Sequence, residues 1–200
     1  MNVDFGESKP VEIVPFQLRW QDEFVAIAKS LRSQIGQTAL RIDHIGSTAV
    51  AGLSAKDIID IQITLNSLDD ATEFVTRMQN AGYRKRGDMR FDELVGLTPA
   101  QSPQLRKLYF REQENQRRTH IHVRQIGLLN QNYALLFRDY LRANESVREC
   151  YGLIKQRLAE IFPNQIDGYL YIKDPLMDMI YQGAQEWAEK THWSQDKAFL

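Results

Sequence analysis

Cysteine is nearly absent. Cys150 stands alone among 200 residues, so no disulfide can form within the chain. It lies in a helical pattern between Glu149 and Tyr151 and reads as a small packed residue rather than a reactive thiol. Long apolar runs are missing too. No stretch approaches the roughly 20 residues that a membrane-spanning helix needs. Met1 to Pro10 is polar and acidic, without the apolar core of a secretory signal. The expectation is a loose tail on a cytoplasmic protein. Charge of one sign is not in excess either. The formal net charge is −1, which excludes a global pull toward nucleic acid or acidic lipid. No nucleic-acid motif, internal repeat or low-complexity linker is visible.

What remains is an ordinary globular composition, 43% hydrophobic and 26% charged. Residues 11–200 are expected to form a single domain large enough to bury its own core. Charge is nevertheless uneven. Ala81 to Gln125 carries ten Lys and Arg against five Asp and Glu. That stretch is either a local anion site or a solvated face.

Apolar residues at Phe24, Ile27, Ala28, Leu31 and Ile35 predict a helix from Trp20 that stops at Gly36. Val11 to Phe16 reads as a short edge segment limited by Pro15. Leu40 to Ile45 reads as a strand that enters a turn at Gly46-Ser47. Ile58 to Leu65 is a strand with Ile59, Ile61, Ile63 and Leu65 on one face and Asp60, Gln62 and Thr64 on the other. Ser67 with Asp70 resembles a capping box for a helix through Phe74, Val75 and Met78, closed by Gly82. Leu108 to Glu112 and Thr119 to Arg124 predict a hairpin. Helices follow over Tyr133 to Leu141 and over Val147 to Phe162, the latter with Tyr151, Ile154, Leu158 and Ile161 on one face. A third is expected to open at Asp174-Pro175. The pattern is α+β: a mixed β-sheet core with flanking helices and a helical C-terminal subregion.

The stretch richest in chemistry is Arg41 to Asp60. A strand runs into Gly46-Ser47 and small residues follow. Glycine lets backbone approach a ligand closely. A helical turn beginning at Ser47 directs free N–H groups at an anion. Asp60 projects from a strand whose other face is isoleucine, and an ionised carboxylate there needs a partner such as a metal ion or a lysine. A tight turn with a capping serine, and a strand Asp bonded to backbone, are the plain structural alternatives. His120, His122 and Arg124 share one face of a second strand. Such a pair of histidines can grip a transition metal, contact phosphate or move protons near neutral pH. A hydrogen-bonded polar sheet face is again the alternative. Lys56, Arg138, Arg142, Lys155 and Lys173 are ambiguous between surface or helix ion pairs and the cleft.

His44-Ile-Gly-Ser-Thr-Ala-Val-Ala-Gly-Leu, Ala55-Lys56 and Ile59-Asp60-Ile61 resemble the signature of the GrpB family. His120-Ile-His122, Phe137 to Arg142, Tyr151 with Lys155, and Tyr169 to Lys173 match as well. The similarity spans about Val11 to Ile180. It implies a nucleotidyltransferase-like fold, and a relation to the C-terminal domain of some dephospho-CoA kinases. The superfamily mechanism it implies holds a nucleoside triphosphate on the Gly46-Ser47 turn, with paired strand carboxylates binding two magnesium ions.

On that pattern Asp60 is the first carboxylate and the magnesium ligand. Asp60, His120 and His122 are the catalytic candidates. His44, Gly46, Ser47, Thr48, Lys56 and Arg124 are the ligand-binding candidates, and Mg2+ is the expected cofactor. The partner is a nucleotide or another phosphorylated small molecule. The chain departs from the pattern at Gln62, where the second carboxylate belongs, and at Asp57, where the family carries proline. Asp92, Glu93 and Glu112 are candidates for a further acid. Three readings follow: a metal-dependent nucleotidyltransferase, a non-catalytic nucleotide- or CoA-binding module with a degraded metal site, and a phosphate-ester hydrolase built on His44, His120, His122 and Asp60.

Overall fold

Trp20, Phe24, Ala28, Leu31 and Ile35 recur at spacings of three and four, so they form one stripe along α1 (Arg19–Ile35), and all five are buried. Gly36 ends that helix with φ +57. The computed structural model describes residues 10–95, 97 and 103–195. The expected N-terminal tail therefore lies outside the described residues except for Pro10.

A five-stranded sheet carries the rest. Its strands are β1 (Arg41–Ile45), β2 (Ile59–Leu65), β3 (Arg84–Arg86), β4 (Leu108–Arg111) and β5 (Thr119–Gln125), in the order β1-β2-β5-β4-β3. β2 and β5 pair in parallel and every other pair is antiparallel. The expected hairpin is β4 with β5. The α+β reading holds: a mixed sheet with five helices.

One face of the sheet is covered by α1 and α2 (Thr72–Asn80). There Ile42, Ile59, Ile61, Ile63, Phe110, Ile121 and Val123 pack against the α1 stripe and against Phe74 and Met78. Each large apolar side chain buried in this layer contributes roughly 1.5–3 kcal/mol. The other face meets α3 (Leu129–Ala143), on which α4 (Glu145–Ile161) and α5 (Ile166–Thr191) pack. These helices hold a second cluster, in which Leu136, Phe137 and Leu141 meet Tyr151, Tyr181 and Ala184. Gln62 and Thr64, on the polar side of β2, are consequently fully buried.

Four local expectations are corrected. Ser67 does not cap α2. Its Oγ accepts from the Asp69 N–H at 3.1 Å, and the helix opens at Thr72 after Ala71. Asp174-Pro175 opens no helix, because α5 runs straight through it with Pro175 inside. Proline there removes one helical N–H, but Tyr169 and Tyr181, one on either side, are both buried and hold the helix in place. On α4, Ile161 is exposed, and Lys155 instead joins Tyr151 and Leu158 on the buried face. Cys150 is exposed rather than packed. No helix among the described residues is long and apolar enough to cross a membrane.

Candidate functional site

The turn after β1 fixes the centre of the site. Gly46 has φ +69 and ψ −172, a conformation open in practice only to glycine. A Cβ on Gly46 would also lie 2.4 Å from Oδ2 of Asp60. The backbone of the turn and the carboxylate of β2 are thus in direct contact. Ser47–Ala49 form a single 3-10 turn. Helix α3 clamps this loop from behind. Arg138 donates to the His44 carbonyl at 3.0 Å, and Arg142 donates twice to the Ala49 carbonyl. Asp139 binds both arginines. Arg138 and Arg142 therefore belong to an intrahelical network and also hold the loop.

In-register parallel pairing of β2 with β5 sets Asp60 beside His120 and Gln62 beside His122. Nδ1 of His120 lies 3.2 Å from Oδ1 of Asp60, with both side chains about a quarter exposed. Asp60, His120 and His122 bring one ligand atom each within 4.8 Å of one another. Tyr109, on β4, packs edge-on against both imidazoles. Burial raises the Asp60 carboxyl. The hydrogen bond from His120 and nearby positive charge outweigh that effect and hold it below its ordinary value. Burial, together with Arg124 and Lys107, keeps His122 well below the usual imidazole range, so it is neutral at physiological pH.

Lysines form the opposite wall. Lys155 is buried, and its Nζ lies 2.9 Å from Oγ of Ser47 and also donates to the Ser54 carbonyl. The Tyr151 ring sits under the ammonium, 4.6 Å away, and its hydroxyl is hydrogen-bonded with Ser47. Burial, reinforced by Lys173 and Lys56, pushes Lys155 down to about 7; Asp60 opposes the shift. Lys56 lies over the Tyr169 ring at 5.6 Å. It too is lowered, first by burial and then by Lys173, with Asp60 opposing. Among the described residues, neither Lys155 nor Lys56 has a carboxylate within ion-pair distance.

Gly46, Ser47, Lys56, Asp60, His120 and His122 thus come together. Three of the other expected residues do not. His44 pairs with Ile61, so its ring points to the opposite, α1 face. There it stacks on Phe24 at 4.6 Å, and burial drives it down to about 3. Thr48 is buried and turned inward, 3.0 Å from Nε2 of His44, and donates to the Ile58 carbonyl. Arg124 is buried and consumed by Asp92 at 2.9 Å and by Oε1 of Gln62 at 2.6 Å.

Gln62 is equally committed, because its amide also donates to the Gln131 carbonyl. Of the candidate acids, Asp92 pairs with Lys107 and Arg124, and Glu112 with Arg84 and Arg111. Neither joins Asp60, nor does Glu93. Asp57 clasps Arg19, Trp20 and Arg117. The basic stretch from Ala81 to Gln125 is largely spent in such pairs: Arg84, Arg86, Arg106, Lys107, Arg111, Arg117 and Arg124 all have carboxylate partners.

Lys155 is one of the five cations that the sequence leaves ambiguous. A lysine on the same helical face as Tyr151 and Leu158 breaks the apolar stripe, and that break was the available signal.

A family model described as GrpB protein matches residues 10–183. The dephospho-CoA kinase of Mycobacterium tuberculosis is 36% identical over 198 residues, covering 92% of this chain and 48% of that protein. The chain therefore spans about half the length of the kinases it matches. UPF0157 protein BH1888 of Halalkalibacterium halodurans is 32% identical over 188 residues, covering 91% and 88% of the two chains. The crystal structure of the conserved protein GrpB from Enterococcus faecalis superposes with a TM-score of 0.73. It is 28% identical, and the match covers 92% of this chain and all of that one.

Proposed function

This chain belongs to the GrpB family, and from that premise we propose that it binds a nucleotide or another phosphate-bearing small molecule at the Gly46-Ser47 turn. In this reading the ligand sits among the turn, Asp60 on the polar face of the sheet and the Lys155 ammonium of α4. One observation carries the reading. The ammonium of Lys155 is buried at 2% exposure, aims at Ser47, and has no carboxylate partner among the described residues. A buried cation normally needs a counter-charge. A phosphate on the turn supplies one, and Lys56 adds to the attraction. The acidic, phosphate-rich substrates suggested by relatives named dephospho-CoA kinase fit the same chemistry.

Transfer through two magnesium ions finds little support. Magnesium demands near-octahedral oxygen ligands, and two such ions need more than one carboxylate to neutralise them. Here Asp60 is the only acid in the cluster among the described residues, and Gln62 is locked between Arg124 and Gln131. The donor set does not fit the magnesium pair, so we favour ligand binding over two-metal nucleotidyl transfer. The hydrolase reading loses His44, which faces α1.

Isothermal titration with ATP, other nucleoside triphosphates and CoA, with and without magnesium, tests the proposal on the unmodified chain and on Lys155→Met. Saturable binding weakened in the variant supports it. Failure of every compound to bind the unmodified chain ends it.

A further inference from the structure

Two imidazoles and one carboxylate on adjacent strands make a donor set of another kind. We infer that Asp60, His120 and His122 bind a single transition-metal ion of the zinc or ferrous class, independently of magnesium.

The geometry is set by the backbone. Asp60 and His120 are register partners on β2 and β5, and His122 is the next residue on the same face. Ligands of one such ion stand roughly 3–3.5 Å apart, given metal–ligand bonds of about 2.0–2.2 Å. Asp60 Oδ1 and His120 Nδ1 already lie 3.2 Å apart, and the three ligand atoms share a space 4.8 Å across. Side-chain torsion alone can close the remainder.

Chemistry selects the ion. Imidazole nitrogen suits zinc, iron and copper, whereas magnesium and calcium take oxygen. Two histidines and one carboxylate with positions left open describe a site for exchangeable ligands rather than a closed structural centre. The site has that open side, since Asp60 is 27% and His120 23% exposed.

The surroundings hold the ligands in place. Tyr109 wedges against both rings at 5.7 and 5.2 Å. Such packing restrains the orientation of both imidazoles. Gly46 allows Asp60 to sit against the turn, so an ion at Asp60 adjoins the place proposed for the phosphate. The phosphate oxygens are then candidates for the open positions. Only that last step rests on the proposed function.

The test uses the metal alone, with no phosphate compound present, so that its outcome is separate from that of the nucleotide titrations. The full chain is prepared as Cys150→Ser, because the exposed thiol would otherwise compete for the ion. Cobalt(II) serves as the spectroscopic probe. Expected is visible ligand-field absorption that saturates at one equivalent, is displaced by zinc and survives a hundredfold excess of magnesium. His120→Gln and His122→Gln should each weaken cobalt binding by at least roughly a hundredfold, more than loss of an outer contact usually costs. Circular dichroism and thermal melting establish that each variant is folded. If His122→Gln does not fold, His120→Gln and the unmodified titration still decide. Absence of saturable absorption, undiminished affinity in the folded variants, or displacement by magnesium would overturn the inference.

Discussion

Lys155 Nζ and Ser47 Oγ stand 2.9 Å apart although 108 residues separate them along the chain. This contact joins α4 to the turn after β1 and leaves an ammonium in a nearly dry setting. Its protonation should govern both stability and binding. The folded value, about 7, lies below the ordinary 10.5, so the unfolded chain binds more protons between those limits. Stability therefore rises with pH across that window. Lys155→Met removes the effect. Denaturant unfolding should show the variant gaining most on the parent at pH 7 and below, and the gap shrinking toward pH 10. Ligand affinity should fall roughly tenfold or more in the variant, as for loss of a hydrogen bond to a charged group. In the parent it should decline as pH rises through 7.

Gly46→Ala should fail for two separable reasons. The positive φ alone costs on the order of 1–3 kcal/mol, and the new methyl strikes Asp60. In an Asp60→Ala background the second penalty shrinks, because the carboxylate is gone although Cβ stays 2.9 Å from the new methyl, while the first remains. A double-mutant cycle on unfolding free energy should show the difference. Equal penalties in both backgrounds would remove the steric account.

Asp92 binds Lys107 and Arg124 with both cations buried, and their charge holds its carboxyl far below the usual range against the effect of burial. Asp92→Asn leaves two buried cations without their counter-charge. The expected loss is about 3–5 kcal/mol, visible as a large fall in Tm. The carboxylate's contribution is present above the ordinary Asp value and lost as pH falls toward the depressed one. The parent should therefore lose its advantage over Asp92→Asn progressively below about pH 4.

Gln62→Glu supplies the carboxylate that two-magnesium chemistry lacks, yet it should not create a magnesium site. Arg124 already holds Oε1 at 2.6 Å and would capture the new charge. The Gln131 carbonyl would lose its donor. Magnesium titration should show no added affinity, and Tm should drop.

Much of this architecture was legible because it rests on periodicity. The alternation from Ile59 to Leu65 identified β2 and the face that carries Asp60. The stripe from Phe24 to Ile35 identified α1 and its stop. Parity also joined His120 to His122 on one face. Parity could equally have separated His44 from Asp60, since His44 shares its side of β1 with Ile42. The proximity of His44 to Gly46 along the chain concealed this, and the antiparallel register against Ile61 makes it plain. Other misses arose where tertiary contacts override local signals. Proline at 175 sits within a helix anchored by buried tyrosines on both sides. Arg124 looks free as a strand cation, but its partner Asp92 comes from an irregular segment that no short-range pattern links to it. Lys155 needed its distant partner, Ser47, to acquire meaning.

The parallel pairing of β2 with β5 has a consequence for how the protein comes into being. Asp60 and His120, like Gln62 and His122, are neighbours across the sheet yet sixty positions apart in sequence. No hairpin can bring them together. The intervening chain must fold α2, β3 and β4 and return in register, and such non-local closure is intrinsically slow. Until that strand docks, no fragment of the chain holds the cluster. The first appearance of metal-dependent absorption during refolding would therefore time the closing of the sheet.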